Sequence, residues 1–187
     1  ASGATGHSGA LVRAHYDARI GIRLARESLG FFQRFEKETD LSCDFRTTGF
    51  LTGTRERDLP AFDVLISLLT SEGVENERLS PSDAKAMEPQ LEVSDYAAVI
   101  HEPDVGYADP IATASGFASA AVVEGAKVFE DRPVTSIATR SGRVAGVKIR
   151  GAGLLPCGLV IVAAGNGTRD LVAAVGPRLP VRFVRGE

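Results

Sequence analysis

The sequence predicts a mixed α/β (α+β) fold, and three observations predict it. Apolar residues recur at helical spacing over about 17–39 and 56–73. Short β-rich runs bounded by turn residues alternate with those helices, as in YAAVIHEP and PVTSIATRSGRVAGVKIR. An apolar run, LVIVAAG at 159–165, reads as a buried strand entering a glycine turn that opens a helix. The expected order is helix–strands–helix–strand–helix–strands–helix–strand, with both parallel and antiparallel pairing. A length of 187 residues, 44% hydrophobic and 24% charged, suits one domain or two small interleaved ones.

Residues 1–16 are small, rich in Gly, Ser and Thr, and almost free of acids. They predict an irregular loop that lets a ligand approach the backbone. The helix over about 17–39 places Ile20, Leu24, Phe31 and Phe35 on one face. DLSCDFRTTGFLTGT predicts two short strands around Gly49. The next helix carries Phe62, Leu65, Ile66 and Leu69 and stops at Gly73. In LSPSDAKAMEP, Ser80 is a cap, Pro81 the first helical residue and Asp83 near the third, so a short helix reaches about Met87. YAAVIHEP is a strand and DVGYADP a turn. Asp109 then caps a helix that opens on Pro110 and runs to Glu124. AKVFE, PVTSIATR, GRVAGVKIR and LLPCGLVIVAAG are expected strands, with Ser141 and Gly142 turning one hairpin. A helix over about 167–175 and a last strand, PVRFVRG, follow.

The charge balance of 21 basic against 24 acidic residues, net −3, gives no footprint for nucleic acid, and no basic run suggests an anionic membrane. No apolar run reaches the roughly 18 residues of a membrane helix, and no signal peptide is visible. Cys43 and Cys157 lie in no motif and are expected to be structural thiols of a cytoplasmic protein. They and His7, His15 and His101 lack metal-ligand spacing, so no metal is expected. There is no Ser–His–Asp order, CxxC or phosphate-loop Lys to support a hydrolase or kinase. The chain opens on ASGATGHSGA without Met and closes on Arg-Gly-Glu just after an apolar run, which predicts a fragment with sheet edges open to a missing chain or a second copy.

In AAGNGTRD, small residues at Ala163, Ala164 and Gly165 let backbone come near a ligand, and the following helix turns N–H groups toward it. Taken alone, such a junction is more often a plain βα turn. Asp170 stands where a dinucleotide fingerprint needs Gly or Ala, and its charge opposes a pyrophosphate.

Four stretches, in order, carry a resemblance over nearly the whole chain: HSGALVRAHY, TTGFLTGT, IHEPDVGYADP, and PVTSI…GRVAGVKI…GLVIVAAGNGTRDL. Together they resemble the D-amino-acid oxidase, glycine oxidase and sarcosine oxidase superfamily of FAD-dependent oxidoreductases, sarcosine oxidase and its β subunit above all. The resemblance implies part of a Rossmann-like FAD domain (1–39 and 104–178) interleaved with an antiparallel-sheet substrate domain (40–103 and 179–187). The family's GxGxxG unit, which precedes a loop like HSGALVRAHY, is absent, so LVIVAAGNGTRD corresponds to the family's second nucleotide contact. The resemblance implies cofactor contacts at Ser8, Gly9, Ala10, Val134, Ala163, Ala164 and Gly165. It gives Arg13 the substrate carboxylate, for which a permanent charge on a planar fork is suited. His7 is more simply a solvated loop histidine. The segment 105–110 offers no histidine for covalent flavin, and Asp109 is first a helix cap.

The implied reaction is oxidation of the C–N bond of a small amine or amino acid, with hydride to the flavin and hydrolysis of the imine, in a parent of which this chain alone is inactive. Two alternatives remain open. One is an interaction module or split subunit without cofactor. The other is a 2-hydroxyacid or glycerol-phosphate dehydrogenase of the same superfamily.

Overall fold

The computed structural model describes residues 3–176 and 179–180. The chain divides into two compact units, Ala1–Ala126 and Lys127–Glu187.

The first unit begins with a 3-10 turn, Ala4–His7, and the strand β1 (Leu11–Val12). The predicted long helix is present as two pieces, α1 (Arg19–Gln33) and α2 (Phe35–Thr39), broken at Arg34, whose backbone leaves the helical region (φ −112°, ψ 11°). The buried stripe of α1 differs from the expected one. Ile22 and Leu29 are buried, whereas Ile20 is 65% exposed and Leu24 63%. Positions 22 and 29 lie two turns apart on one face, and Ile22 meets the core of Ala14, Phe62, Leu69 and Ile100. The break at Arg34 resets the register, so Phe35 is buried in a second cluster with Cys43 and Ala108. Phe31, Phe32, Phe45 and Phe117 surround Phe35, with Phe117 edge-on at 5.2 Å between centroids.

β2 (Arg46–Thr47) and β3 (Phe50–Thr54) flank Gly49, whose φ of +70° is the left-handed backbone that glycine accepts without strain. A 3-10 turn at Glu56–Asp58 leads into α3 (Leu59–Ser71). At its end Glu72 is buried, and α1 satisfies it: Arg19 and Arg23 pair with the carboxylate and Arg26 donates to the backbone carbonyl. A buried carboxylate without such partners would cost several kcal/mol, so this cluster locks α1 across the end of α3.

β4 (Glu77–Leu79), not expected from the sequence, pairs with β5 (Ala98–Glu102). Between them α4 (Pro81–Met87) has the predicted cap, Ser80 Oγ accepting from the Asp83 N–H at 3.1 Å. β5 is the centre of an antiparallel sheet ordered β3-β5-β4. β6 (Gly106–Tyr107) lies inside the predicted DVGYADP turn and is the centre of a second sheet, β1-β6-β2. The partner backbones crowd it. A Cβ on Gly106 would overlap the Arg46 carbonyl. α5 (Pro110–Val123) begins as predicted, with Asp109 Oδ1 accepting from the Ala112 N–H at 2.6 Å.

The second unit is a three-stranded antiparallel sheet of β7 (Val134–Arg140), β8 (Arg143–Ile149) and β9 (Gly153–Pro156). Ser141 and Gly142 turn the first hairpin with φ of 51° and 75°, the geometry that matches strand twist. A 3-10 turn, Gly165–Gly167, opens α6 (Thr168–Ala173). Two expected strands are absent. AKVFE is irregular, and 159–164 forms no ladder although it is apolar throughout. A strand needs a partner for its N–H and C=O groups, and no described strand pairs with 159–164. For the same reason every described ladder is antiparallel, against the expected parallel component. The predicted strand PVRFVRG lies outside the described residues apart from Pro180. No described helix is long and apolar enough to cross a membrane.

Candidate functional site

Two cavities gather the predicted site residues, one in each unit. The first, of about 640 Å³, is lined by Ser8, Ala10, Arg13 and Tyr16 from the N-terminal segment and by Leu24 and Phe32 of α1. The exposed Leu24 of α1 is thus part of the wall of this cavity. Ser8 Oγ accepts from the Ala10 N–H at 3.1 Å, which curls the loop. Ala10 has φ of 65°, a left-handed conformation that is costly for a residue with a Cβ, and its carbonyl accepts from the Ala108 N–H at 3.0 Å. Gly9, between them, has open space where a side chain would lie.

Arg13 follows β1 and is half-buried. Its guanidinium carbon lies 5.6 Å from the centroid of the Phe50 ring and 6.0 Å from that of Tyr16. Both distances are within cation–π range. No carboxylate among the described residues pairs with it. The positive fork therefore has its carbon near two ring faces and its donors without a carboxylate among the described residues. Two positions on, His15 Nδ1 donates to Glu102 Oε1 at 2.9 Å. His15 and Tyr16 follow Arg13 in the same short loop, so their nearness is local, whereas Phe50 and Glu102 are distant in sequence and their place beside this loop has no signal in local spacing.

The second cavity, of about 750 Å³, is lined by Val134, Ile137 and Val147 of the sheet, by Ala163 and Ala164, and by Asp170 of α6. Val134 and the two alanines, 29 and 30 positions apart in the chain, share one wall system. Gly165 follows directly with φ of 52°. Apart from Asp170 and Arg150 the lining is apolar or small. Such a surface accepts a flat uncharged ring, and Asp170 disfavours a phosphate there.

On the remaining surface, Asp44 holds the Arg46 guanidinium above its ordinary pKa through a side-chain hydrogen bond, Nε donating to Oδ1 at 3.1 Å. Tyr107 and Leu11 are cross-strand neighbours in the same small sheet. Asp109 is occupied as the cap of α5.

The chain is 31% identical to human mitochondrial sarcosine dehydrogenase over 96% of its length, which is 20% of that enzyme. It is 29% identical to 4-methylaminobutanoate oxidase (formaldehyde-forming) of Paenarthrobacter nicotinovorans, over 96% of the chain and 22% of the enzyme. Among solved structures, L-proline dehydrogenase from P. horikoshii superposes with a TM-score of 0.84 at 26% identity, covering 92% of this chain and 46% of that one. Glycine oxidase from Bacillus cereus gives 0.75 at 20% identity, with 92% and 49% covered. The chain thus spans about a fifth of the length of the two sequence relatives and about half of the two structural ones. A family model for FAD dependent oxidoreductases matches residues 1–187, and the chain belongs to that family.

Proposed function

We propose that this chain is part of an FAD-dependent oxidoreductase that oxidises the C–N bond of a small amine or amino acid, with Arg13 binding the substrate carboxylate. The observation that carries the proposal is the Arg13 guanidinium, which lines an apolar cavity, rests on two ring faces and has no carboxylate partner among the described residues. A partly desolvated guanidinium binds a planar carboxylate through two parallel N–H···O bonds. The relatives named sarcosine dehydrogenase and 4-methylaminobutanoate oxidase act on N-methylated amino acids, which have such a carboxylate.

The residues present suit a flavin nucleotide. The curled backbone at Ser8, Gly9 and Ala10 offers a hydroxyl and unencumbered peptide groups. Val134, Ala163, Ala164 and Gly165 offer an apolar, small-residue wall to an aromatic ring. When bound, the flavin supplies the two-electron acceptor for the C–H bond next to nitrogen. This chain's own residues bind and orient: Arg13 fixes the carboxylate, and Leu24 and Phe32 give the same cavity an apolar wall. In the whole protein, 1–39 and 104–178 would belong to the cofactor domain and 40–103 and 179–187 to the substrate domain. The free thiols Cys43 and Cys157 suit a reducing compartment such as the cytoplasm.

A specific observation favours a second reading, that of a split subunit or interaction module. The run 159–164 is apolar and unpaired, with Leu159 and Ile161 largely exposed, as an edge awaiting another chain would be.

An absorption spectrum of the purified chain, followed by denaturation to release any flavin, separates the two. Flavin recovered in stoichiometric amount, and bleached on adding sarcosine, glycine or proline, supports the oxidoreductase reading. Bleaching by 2-hydroxyacids alone moves the reaction to a hydroxyl substrate. A colourless, folded chain that self-associates or captures a partner favours the second reading.

A further inference from the structure

The pair His15–Glu102 lies beside the proposed carboxylate site and has no part in it so far. Glu102 is the last residue of β5 and is fully buried. Its Oε1 accepts from His15, and its Oε2 has no hydrogen-bond partner among the described residues. A buried carboxylate with one oxygen unsatisfied is a poor stabiliser, since an apolar residue of similar volume would serve the core as well or better.

The position of the pair suggests another use. Glu102 is the direct cross-strand partner of Phe50 in the β3–β5 ladder. Phe50 is the ring under Arg13. Arg13 and His15, two residues apart, therefore grip the two members of one cross-strand pair. Between them Ala14 is buried in the core, and after them Tyr16 presents the second ring face to Arg13. One hydrogen bond thus fixes the segment that carries both the guanidinium and one of its two aromatic supports.

We propose that His15 and Glu102 form a positioning pair that holds Arg13 in register for a carboxylate. The inference rests on the carboxylate role of Arg13 given above. The pair touches neither substrate nor cofactor. It acts by removing freedom from the 13–16 segment, so that the many-rotamer arginine is already oriented when the anion arrives.

The test uses the native flavin-loaded protein that carries this chain, with acetate as the probe and the flavin absorbance change as the readout of binding. His15→Ala should raise the acetate Kd about tenfold, roughly the loss of one well-oriented contact, and should raise KM for sarcosine more than it lowers kcat. His15→Asn places an amide N–H where Nδ1 sits and should return the Kd to near the native value. His15→Gln, whose amide reaches the Nε2 position instead, should not. If His15→Ala does not fold, the Asn and Gln variants decide by themselves. An unchanged Kd in His15→Ala, or equal losses in the Asn and Gln variants, overturns the positioning role. Arg13→Gln separates this failure from that of the underlying reading. Unchanged acetate binding in Arg13→Gln overturns the carboxylate role and the pair's role with it. Weakened binding there, with none in His15→Ala, overturns the pair's role alone.

Discussion

The two units bury their apolar residues very differently. In the first, Ile22, Phe35, Leu69, Val99 and Ile100 are all within 1% of complete burial, and two cores lie on either side of the loop that carries Arg13. In the second, Ile137 is the one large apolar side chain among the described residues that counts as buried, while Ile161 is 85% exposed. A sheet with one apolar face needs a second layer over it. The first unit supplies that layer with α1 and α3. In the second, the short α6 lies against β7, and Leu154, Leu155, Leu159 and Ile161 stay in solvent. The contrast explains why a side-chain constellation can be read around Arg13, whereas in the second unit only a small-residue wall can.

The sharpest way to break this comparison is to delete matched apolar groups. Leu69→Ala removes a fully buried side chain from the main core and should cost ~3 kcal/mol, within the range for such cavities. Ile161→Ser should change stability by less than ~0.5 kcal/mol. All three tyrosines, Tyr16, Tyr96 and Tyr107, lie in the first unit and the chain has no Trp. Tyrosine fluorescence in a urea titration therefore follows that unit and reads Leu69→Ala, while far-UV circular dichroism, to which the second unit's sheet contributes, reads Ile161→Ser. A midpoint that moves as far for Ile161→Ser as for Leu69→Ala would show that residues 159–164 are buried in solution.

Glycines sharpen the same comparison at smaller amplitude. Gly106→Ala drives a methyl into the Arg46 carbonyl, with the Arg46 carbonyl carbon only 2.8 Å away, and a β6 flanked on both sides cannot retreat. A loss of ~2 kcal/mol is expected, typical of overpacking. Gly158→Ala in the second unit meets nothing within 4 Å and should be neutral or slightly stabilising. Equal effects on the thermal midpoint would mean that the crowding at Gly106 relaxes freely.

What was legible in the sequence follows the same division between local and distant causes. The cap of α4 at Ser80, the start of α5 at Asp109 and Pro110, and the hairpin at Ser141 and Gly142 are determined by neighbours one to three residues away. Each could be read from the residues and each stands as expected. The buried face of α1 could not. Its sequence carries two apolar stripes, and the break at Arg34 decides which of them meets the core. The failed strand at 159–164 has the reverse cause: its composition is right, but pairing is a property of the neighbour. In the candidate site, Arg13 was visible because its loop has a local pattern. Phe50 and Glu102 were not, because they are 37 and 89 residues further along the chain, are brought together by β3–β5 pairing, and meet the Arg13 segment only through side-chain contacts, Phe50 with Arg13 and Glu102 with His15.

The smallest expected effect concerns an exposed carboxylate of the first unit. Glu92 Oε1 accepts from the Ser94 N–H at 2.9 Å, and that backbone hydrogen bond leads the causes that lower its pKa from an ordinary 4.5. A carboxyl whose pKa is lower folded than unfolded binds fewer protons in the folded state, so its contribution is complete above the unfolded value. It is lost as the pH falls from about 4.5 through the lowered folded value. Glu92→Gln keeps an acceptor oxygen but no charge, so its midpoint should lie slightly below the native one at pH 6. The gap should close as the pH drops below that window. Tyr96, four residues away, is among the tyrosines whose fluorescence reports the transition. A gap that stays constant or widens toward low pH would show that the Ser94 bond does not distinguish the charged carboxylate from the neutral amide. The small turn before β5 would then be held by backbone geometry rather than by charge.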